Sequence, residues 1–215
     1  MKRIKKVVWL LLNYTYIGGL LQLSLKSALK EAGWFKSFQR KEAIDNSGKP
    51  IAWCTYSFMH FIHPRLQNEF NVFEYGCGNS TIWYAKKVNS IKSVEHDKSW
   101  LNKIQSTMPA NSTIVYKELI YGGDYSKEVG NSNQKYQIVI VDGRDRNNCL
   151  LNSISQLTDD GVVVFDNSNL RQYQTSISEV MQKGFKKIDF YGMTPIAPHE
   201  SCTSIIYRQN NCLNI

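Results

Sequence analysis

The sequence has no Cys-x-x-Cys pair, no cysteine–histidine spacing suited to zinc, no low-complexity tract and no internal repeat. Its five cysteines, Cys54, Cys77, Cys149, Cys202 and Cys212, are scattered. That excludes a zinc ribbon or a disulfide framework and predicts free thiols in a reducing cytoplasm. No small-residue cleavage site follows the first apolar stretch. Acidic residues are nearly missing from positions 1–41, where Glu31 is the single acid among nine basic residues. This segment therefore carries the whole net charge of +8, and the rest of the chain is neutral. A neutral body argues against a nucleic-acid groove spread over it.

Long hydrophobic runs are scarce as well. The stretch Val7 to Leu25, "VVWLLLNYTYIGGLLQLSL", is uncharged and approaches the roughly 20 residues of a bilayer span. Asn13, Thr15, Gln22 and the Gly18-Gly19 pair dilute it. From Leu20 to Ala32 the pattern is helical, with Leu21, Leu25, Ala28, Leu29 and Ala32 on one face and Gly33 as a stop. A helix pair, packed or interfacial, is expected here and not a span. Residues 1–41 are expected to meet an anionic membrane surface, with packing on the fold or pairing with a second copy as the alternative. The protein would then be cytoplasmic, peripheral on the cytoplasmic membrane.

At 215 residues the chain can bury one sizeable core. "DNSGKP" at 45–50 reads as a linker or turn, and "IAWCTYSFMHFIHPRL" after it turns helical near Ser57. Strands are predicted near 71–75, 91–95, 113–117, 136–142 and 161–166. Helices fall between them near 79–88, 98–107, 124–129 and 147–157, with another at 171–182. Two last strands, near 185–190 and 203–208, follow with no helix between them. Such alternation predicts an α/β, doubly wound, mainly parallel seven-stranded sheet with an antiparallel final strand. The domains are a helical N-terminal extension over 1–50 and a cofactor-binding domain over 51–215.

"FEYGCGNST" at 73–81 closes the first strand on Glu74 and turns through Gly76 and Gly78, with Asn79 or Ser80 available to cap the next helix. In an open parallel sheet, ligands sit at the carboxyl ends of the strands. Glu95 ends the second strand in "SVEHD", where a carboxylate can accept both hydroxyls of a ribose. Thr81 stands where a dinucleotide fingerprint needs its third glycine, and Glu74 would repel a pyrophosphate. S-adenosylmethionine suits the site better: it lacks phosphate and carries cationic sulfonium and amino groups.

The stretch resembles motif I of the class I methyltransferases, and "VEHD", with His96 beside Glu95, resembles their ribose-binding motif. The resemblance spans roughly 71–208. It implies an acidic residue contacting the adenine after the third strand, which here is Asp124; capping of a short helix is the alternative. "IVIVDGRDR" ends the fourth strand at Asp142, and "GVVVFDNS" ends the fifth at Asp166 and Asn167. Neighbouring strands would bring these oxygens together as a half-shell for Mg²⁺ or Mn²⁺. The pattern resembles metal-dependent O-methyltransferases of the catechol, caffeoyl-CoA and sugar type, which implies a metal-acidified hydroxyl as acceptor. The alternative is that Asp142 lines the cofactor pocket and Asp166-Asn167 form a turn.

That family's lysine base is replaced here by Asp145, flanked by Arg144 and Arg146. Asp145 and His199 are the candidate bases, and the two arginines would grip an anionic acceptor or tie down their loop. His60 and His63 lack a third ligand and read as structural. Of Trp53, Tyr56 and Phe58, which can close over a cofactor or stack on a sugar, at least two are expected in the core. No proline-aromatic motif of the base-methylating enzymes follows the fourth strand, so nucleic acid is not the expected partner. The expected acceptor is a small-molecule or glycan hydroxyl, in surface-polysaccharide assembly by family resemblance. An aminopropyl transferase of the same fold, or a non-catalytic, membrane-associated nucleoside-binding scaffold, are the alternatives, and a homo-oligomer is allowed.

Overall fold

The structure, a computed structural model, describes residues 2–215. Met1, with which the expected extension begins, lies outside the described residues, as do the side chains of Lys2 and Arg3.

The seven expected strands form one sheet: β1 (Asn71–Tyr75), β2 (Ser90–Glu95), β3 (Ser112–Tyr116), β4 (Tyr136–Val141), β5 (Leu157–Asp166), β6 (Lys186–Met193) and β7 (Glu200–Tyr207). Their order is β3-β2-β1-β4-β5-β7-β6. The first five run parallel, and β7 inserts antiparallel between β5 and β6. Strand order reverses between β1 and β4, which opens the crevice where ligands of such sheets bind.

Alternation along the strands buries both faces. Val72, Ile138, Ile140, Val162 and Val164 face one core, with Phe58, Met59 and Ile62 of α5 (Tyr56–Ile62) and Tyr84 and Ala85 of α6 (Asn79–Ala85). Phe73, Tyr75, Val139, Val141, Val163 and Phe165 face the other. There they meet α8 (Asp124–Lys127), α9 (Arg146–Ser153) and α10 (Gln174–Gln182) through Tyr125, Cys149, Leu150, Ile177 and Val180. α7 (Lys98–Ile104) lies between β2 and β3 in the chain. Near-continuous apolar strands are what a sheet covered on both sides requires. All five cysteines are free.

The N-terminal region divides differently from the expected boundary at residue 50. α1 (Lys2–Tyr14) and α2 (Ile17–Leu25) are exposed, whereas α4 (Trp34–Arg40) and the turn after it belong to the body. Ala43 lies in the first core, and the buried Ser37 hydroxyl donates to Ile44 O at 2.6 Å. Trp34 Nε1 donates to Ala197 O at 3.1 Å, tying α4 to the β6–β7 loop. The helix expected over Leu20–Ala32 is also interrupted. It breaks at Lys26, and Ser27 caps α3 (Ala28–Glu31) by accepting from Lys30 N at 3.1 Å. Gly33, at φ 88°, stops it as expected.

Candidate active site

The carboxyl ends of β1, β2, β4 and β5 open into a crevice of about 840 Å³. Its back wall is the β1 turn. Gly76 adopts φ 94°, a left-handed conformation that favours glycine, and its Cα passes against Gly143 after β4. Register sets Glu74 opposite Ser93 of β2. The buried Glu74 carboxylate accepts from the Ser80 hydroxyl, from Thr81 Oγ1 at 2.5 Å and from Ser93 Oγ at 2.9 Å. Glu74 thus ties the glycine turn to α6 and β2. Burial pushes its pKa up to about 7, against the pull of the three hydroxyls.

The α6 cap differs from expectation. Gly78 is the capping position, and Thr81 Oγ1 accepts from its N–H at 3.0 Å. Ser80 is engaged by Glu74, and Asn79 Nδ2 donates to Ala43 O at 2.8 Å. Both still line the crevice.

Glu95 sits at the crevice edge of β2. Its Oε1 accepts from His96 N (2.7 Å) and Asp97 N (2.8 Å), which fixes the carboxylate while Oε2 meets only the Cys77 thiol, at 3.4 Å. Burial and the neighbouring Glu95 push that thiol far up, so Cys77 is an inert wall. The His96 ring lies edge-on to Tyr125, 5.7 Å between centroids. Trp100 Nε1 donates to Cys77 O at 2.9 Å and brings its indole to the same wall, with Ile104 and Thr107 beyond it. Asp124 does not reach the crevice. It is exposed in the first turn of α8, and it does not cap that helix either: Gly123 holds the cap position, with no side-chain cap hydrogen bond.

At the other side, Val141 pairs with Phe165, so Asp142 and Asp166 stand side by side as expected. The half-shell of oxygens forms, but it is filled from within the chain. Arg146 Nη2 donates to Asp142 O (2.9 Å) and Asp142 Oδ1 (3.0 Å). Its Nη1 donates to Asn167 Oδ1 (2.9 Å) and Asp166 O, and Nε to Gly143 O (2.9 Å). All five guanidinium N–H groups are used, and Asp166 Oδ2 lies 3.8 Å from Nη1. Thr203 Oγ1 holds Asp166 Oδ1 at 2.6 Å, and Ser201 Oγ accepts from Asn167 Nδ2 at 3.0 Å.

These residues do not fit the expected divalent cation, because a permanent cation already sits among the same donors. Nor does any group of three His, Cys, Asp or Glu suit a metal among the described residues. Burial and the adjacent Asp166 hold Asp142 well above the usual carboxylate range, and burial raises Asp166 despite Arg146. The guanidinium of Arg146 offsets the charge of this pair from within the chain.

Asp145 is corrected as a base. It is buried at φ 49°, its Oδ2 accepts from Gly122 N (2.7 Å) and its Oδ1 from Asn148 Nδ2 (2.8 Å), and it does not line the crevice. His199 does line it, exposed on the β6–β7 loop, as do Arg144 and Trp53. Phe58 is core and Tyr56 packs against it, so two of the three candidate aromatics are structural. Sequence reasoning missed Ser93, Trp100 and Thr203. Register against Glu74 and Asp166 was the signal for the first and last.

No family model and no curated protein matches the sequence. Among solved structures the chain is similar to a methyltransferase-like protein from Silicibacter pomeroyi DSS-3, at 20% identity and a TM-score of 0.52, covering 75% of this chain and 90% of that one. It is similar to a putative methyltransferase from Thermoplasma acidophilum at 17% identity and a TM-score of 0.52, covering 72% and 76%. A putative methyltransferase from Streptococcus mutans, solved in complex with SAH, aligns at 10% identity and a TM-score of 0.51, covering 70% and 95%. The chain has the class I methyltransferase fold.

Proposed function

We propose that this protein is an S-adenosylmethionine-dependent methyltransferase acting on a hydroxyl of a small-molecule or glycan acceptor. The observation that carries the cofactor reading is Glu95. It lines the crevice beside the glycine turn at the end of β2, its Oε1 held by two backbone N–H groups and its Oε2 met only by the Cys77 thiol. A ribose diol is the natural donor pair for such a fixed acceptor. Glu95 lines the crevice beside the glycine turn, where a carboxylate disfavours a phosphate-bearing ligand. Methyltransferase neighbours of the same fold support the reading.

When bound, S-adenosylmethionine supplies an electrophilic methyl group. The protein's own residues then have separate tasks. Gly76 and Gly78 allow close backbone approach, Glu95 and His96 form the ribose side, and Trp100 with Ile104 forms an apolar wall for the base. The Asp142–Arg146–Asp166 cluster, its polar atoms paired within the chain, forms a floor on the acceptor side. Arg144 and Trp53, exposed on the crevice wall, offer a charge and a stacking face to an acceptor carrying a carboxylate or phosphate. His199 is the residue available to accept the acceptor's proton near neutral pH. Surface-polysaccharide assembly is the setting that the sequence resemblance favours.

Calorimetric titration with S-adenosylhomocysteine, followed by methyl transfer to acidic and neutral sugars and to phenols, tests this reading. Binding with transfer to a hydroxyl supports it. Binding without transfer to any acceptor favours the nucleoside-binding scaffold, and no binding removes the cofactor assignment.

A further inference from the structure

α1 and α2 form an elbow whose apolar side chains have no cover. The axes of Ile4–Tyr14 and Ile17–Glu31 meet at 102°. Leu10 is 60% exposed and Leu20 66%, and Ile4, Val7, Val8, Leu11, Ile17, Leu23 and Leu25 are exposed too. α2 is apolar on nearly every side, a pattern that otherwise belongs to a buried or lipid-embedded helix. α1 is amphipathic: Ile4, Val8 and Leu11 share one face while Lys5 and Lys6 lie off it.

The bend is built into the sequence. Tyr16 turns the chain at φ 61°, and Gly18 is buried where a Cβ would collide with Asn13 Oδ1. Neither arm can cross a bilayer: 13 and 9 residues reach about 20 and 14 Å, against a hydrocarbon core of about 30 Å. No single helix among the described residues is long and apolar enough to cross one.

Charge identifies the occupant. Lys2, Arg3, Lys5, Lys6, Lys26 and Lys30 bracket the apolar stretch, and the first acid is Glu31. Trp9, Tyr14 and Tyr16 are exposed on the elbow, and such rings favour the headgroup region. A second copy of the elbow would set these cations against one another, whereas an anionic leaflet neutralises them. We propose that the α1–α2 elbow is an in-plane anchor for an anionic lipid bilayer, with both arms lying in the interface. This surface is separate from the crevice and does not rest on the methyltransferase reading.

The test is co-sedimentation of the full-length protein with phosphatidylcholine vesicles, with and without phosphatidylglycerol. Binding is expected only with the anionic lipid and falls as salt is raised. Lys5→Gln and Lys6→Gln should each lower the partition about fivefold. The double variant Leu11→Glu/Leu20→Glu should lose it while keeping the wild-type melting temperature, since both side chains are exposed. Protein left in the supernatant with anionic vesicles at low salt overturns the proposal. So does equal binding to both vesicle types. A lipid-free dimer that the double variant converts to monomer would assign the elbow to a second copy instead.

Discussion

Arg146 holds Asp142 twice, donating from Nη2 to its main-chain oxygen at 2.9 Å and to its Oδ1 at 3.0 Å. Asp142 follows β4 and Arg146 opens α9 four residues later, so the chain closes this pair locally before β5 adds Asp166 and Asn167. A cation supplied by the chain stays in place at any metal concentration. The oxygen cluster is therefore a structural knot at the β4–β5 side of the crevice.

Arg146→Ala should be severe, because it leaves buried carboxyls and main-chain oxygens without their donor. A loss of about 3–5 kcal/mol is expected in denaturant unfolding. The emptied half-shell should then accept a hard cation, so Mn²⁺ should raise the melting temperature of the variant and not of the wild type. Wild-type activity is expected to survive excess chelator. Stoichiometric Mn²⁺ in purified wild-type protein would show that the guanidinium yields its place.

Glu95→Ala should weaken S-adenosylhomocysteine binding by about 2–3 kcal/mol, roughly 30- to 150-fold, through loss of charge-assisted hydrogen bonds to the ribose. Oε1 also braces the N–H groups of His96 and Asp97, so Glu95→Gln is the cleaner partner variant. Gln keeps an acceptor oxygen and should recover part of the affinity. Titration calorimetry reads both, and an unchanged dissociation constant in the Ala variant would move the ribose elsewhere.

The sheet was legible because its signal is repeated. Seven apolar runs with turn residues between them leave few topologies, and the β7 insertion follows from the missing helix before it. Glu74, Glu95, Asp142 and Asp166 were legible for a related reason, since a parallel sheet sends strand ends to one rim. The partners of those residues were not. Nothing in the sequence around Arg146 says whether its guanidinium turns out to a ligand or back to Asp142. Asp145 likewise looked like a base by position, but its φ of 49° turns it toward Gly122 and Asn148. The boundary at residue 50 failed because "DNSGKP" is a tight turn inside the body. Asp45 Oδ1 accepts from Ser47 N and Lys49 N there, and Ile44 bridges to Pro50.

His199→Asn should lower kcat by about a hundredfold with little change in cofactor affinity, if it takes the acceptor's proton. The exposed loop position makes a stability loss beyond about 0.5 kcal/mol unexpected. An unchanged kcat would leave His199 as a wall residue only.

Glu74 sets a pH dependence of stability whose sign can be worked out. Burial raises its pKa from 4.5 to about 7 in the folded protein. Between those values the folded state holds a proton that the unfolded chain releases. Its contribution is therefore fully present below about pH 4.5 and is lost as pH rises through 7. The shift corresponds to roughly 3 kcal/mol. Asp142 and Asp166 are raised as well and act in the same direction, so the wild-type slope alone cannot be assigned to one residue. Glu74→Gln isolates it: the amide never ionises, and the Ser80, Thr81 and Ser93 hydroxyls can rotate to meet it. Relative to wild type the variant should gain stability near pH 8 and lose that advantage near pH 5, read from urea midpoints. Parallel curves for the two proteins across that range would mean that Glu74 is ionised in the fold at neutral pH, its three hydroxyl donors outweighing burial.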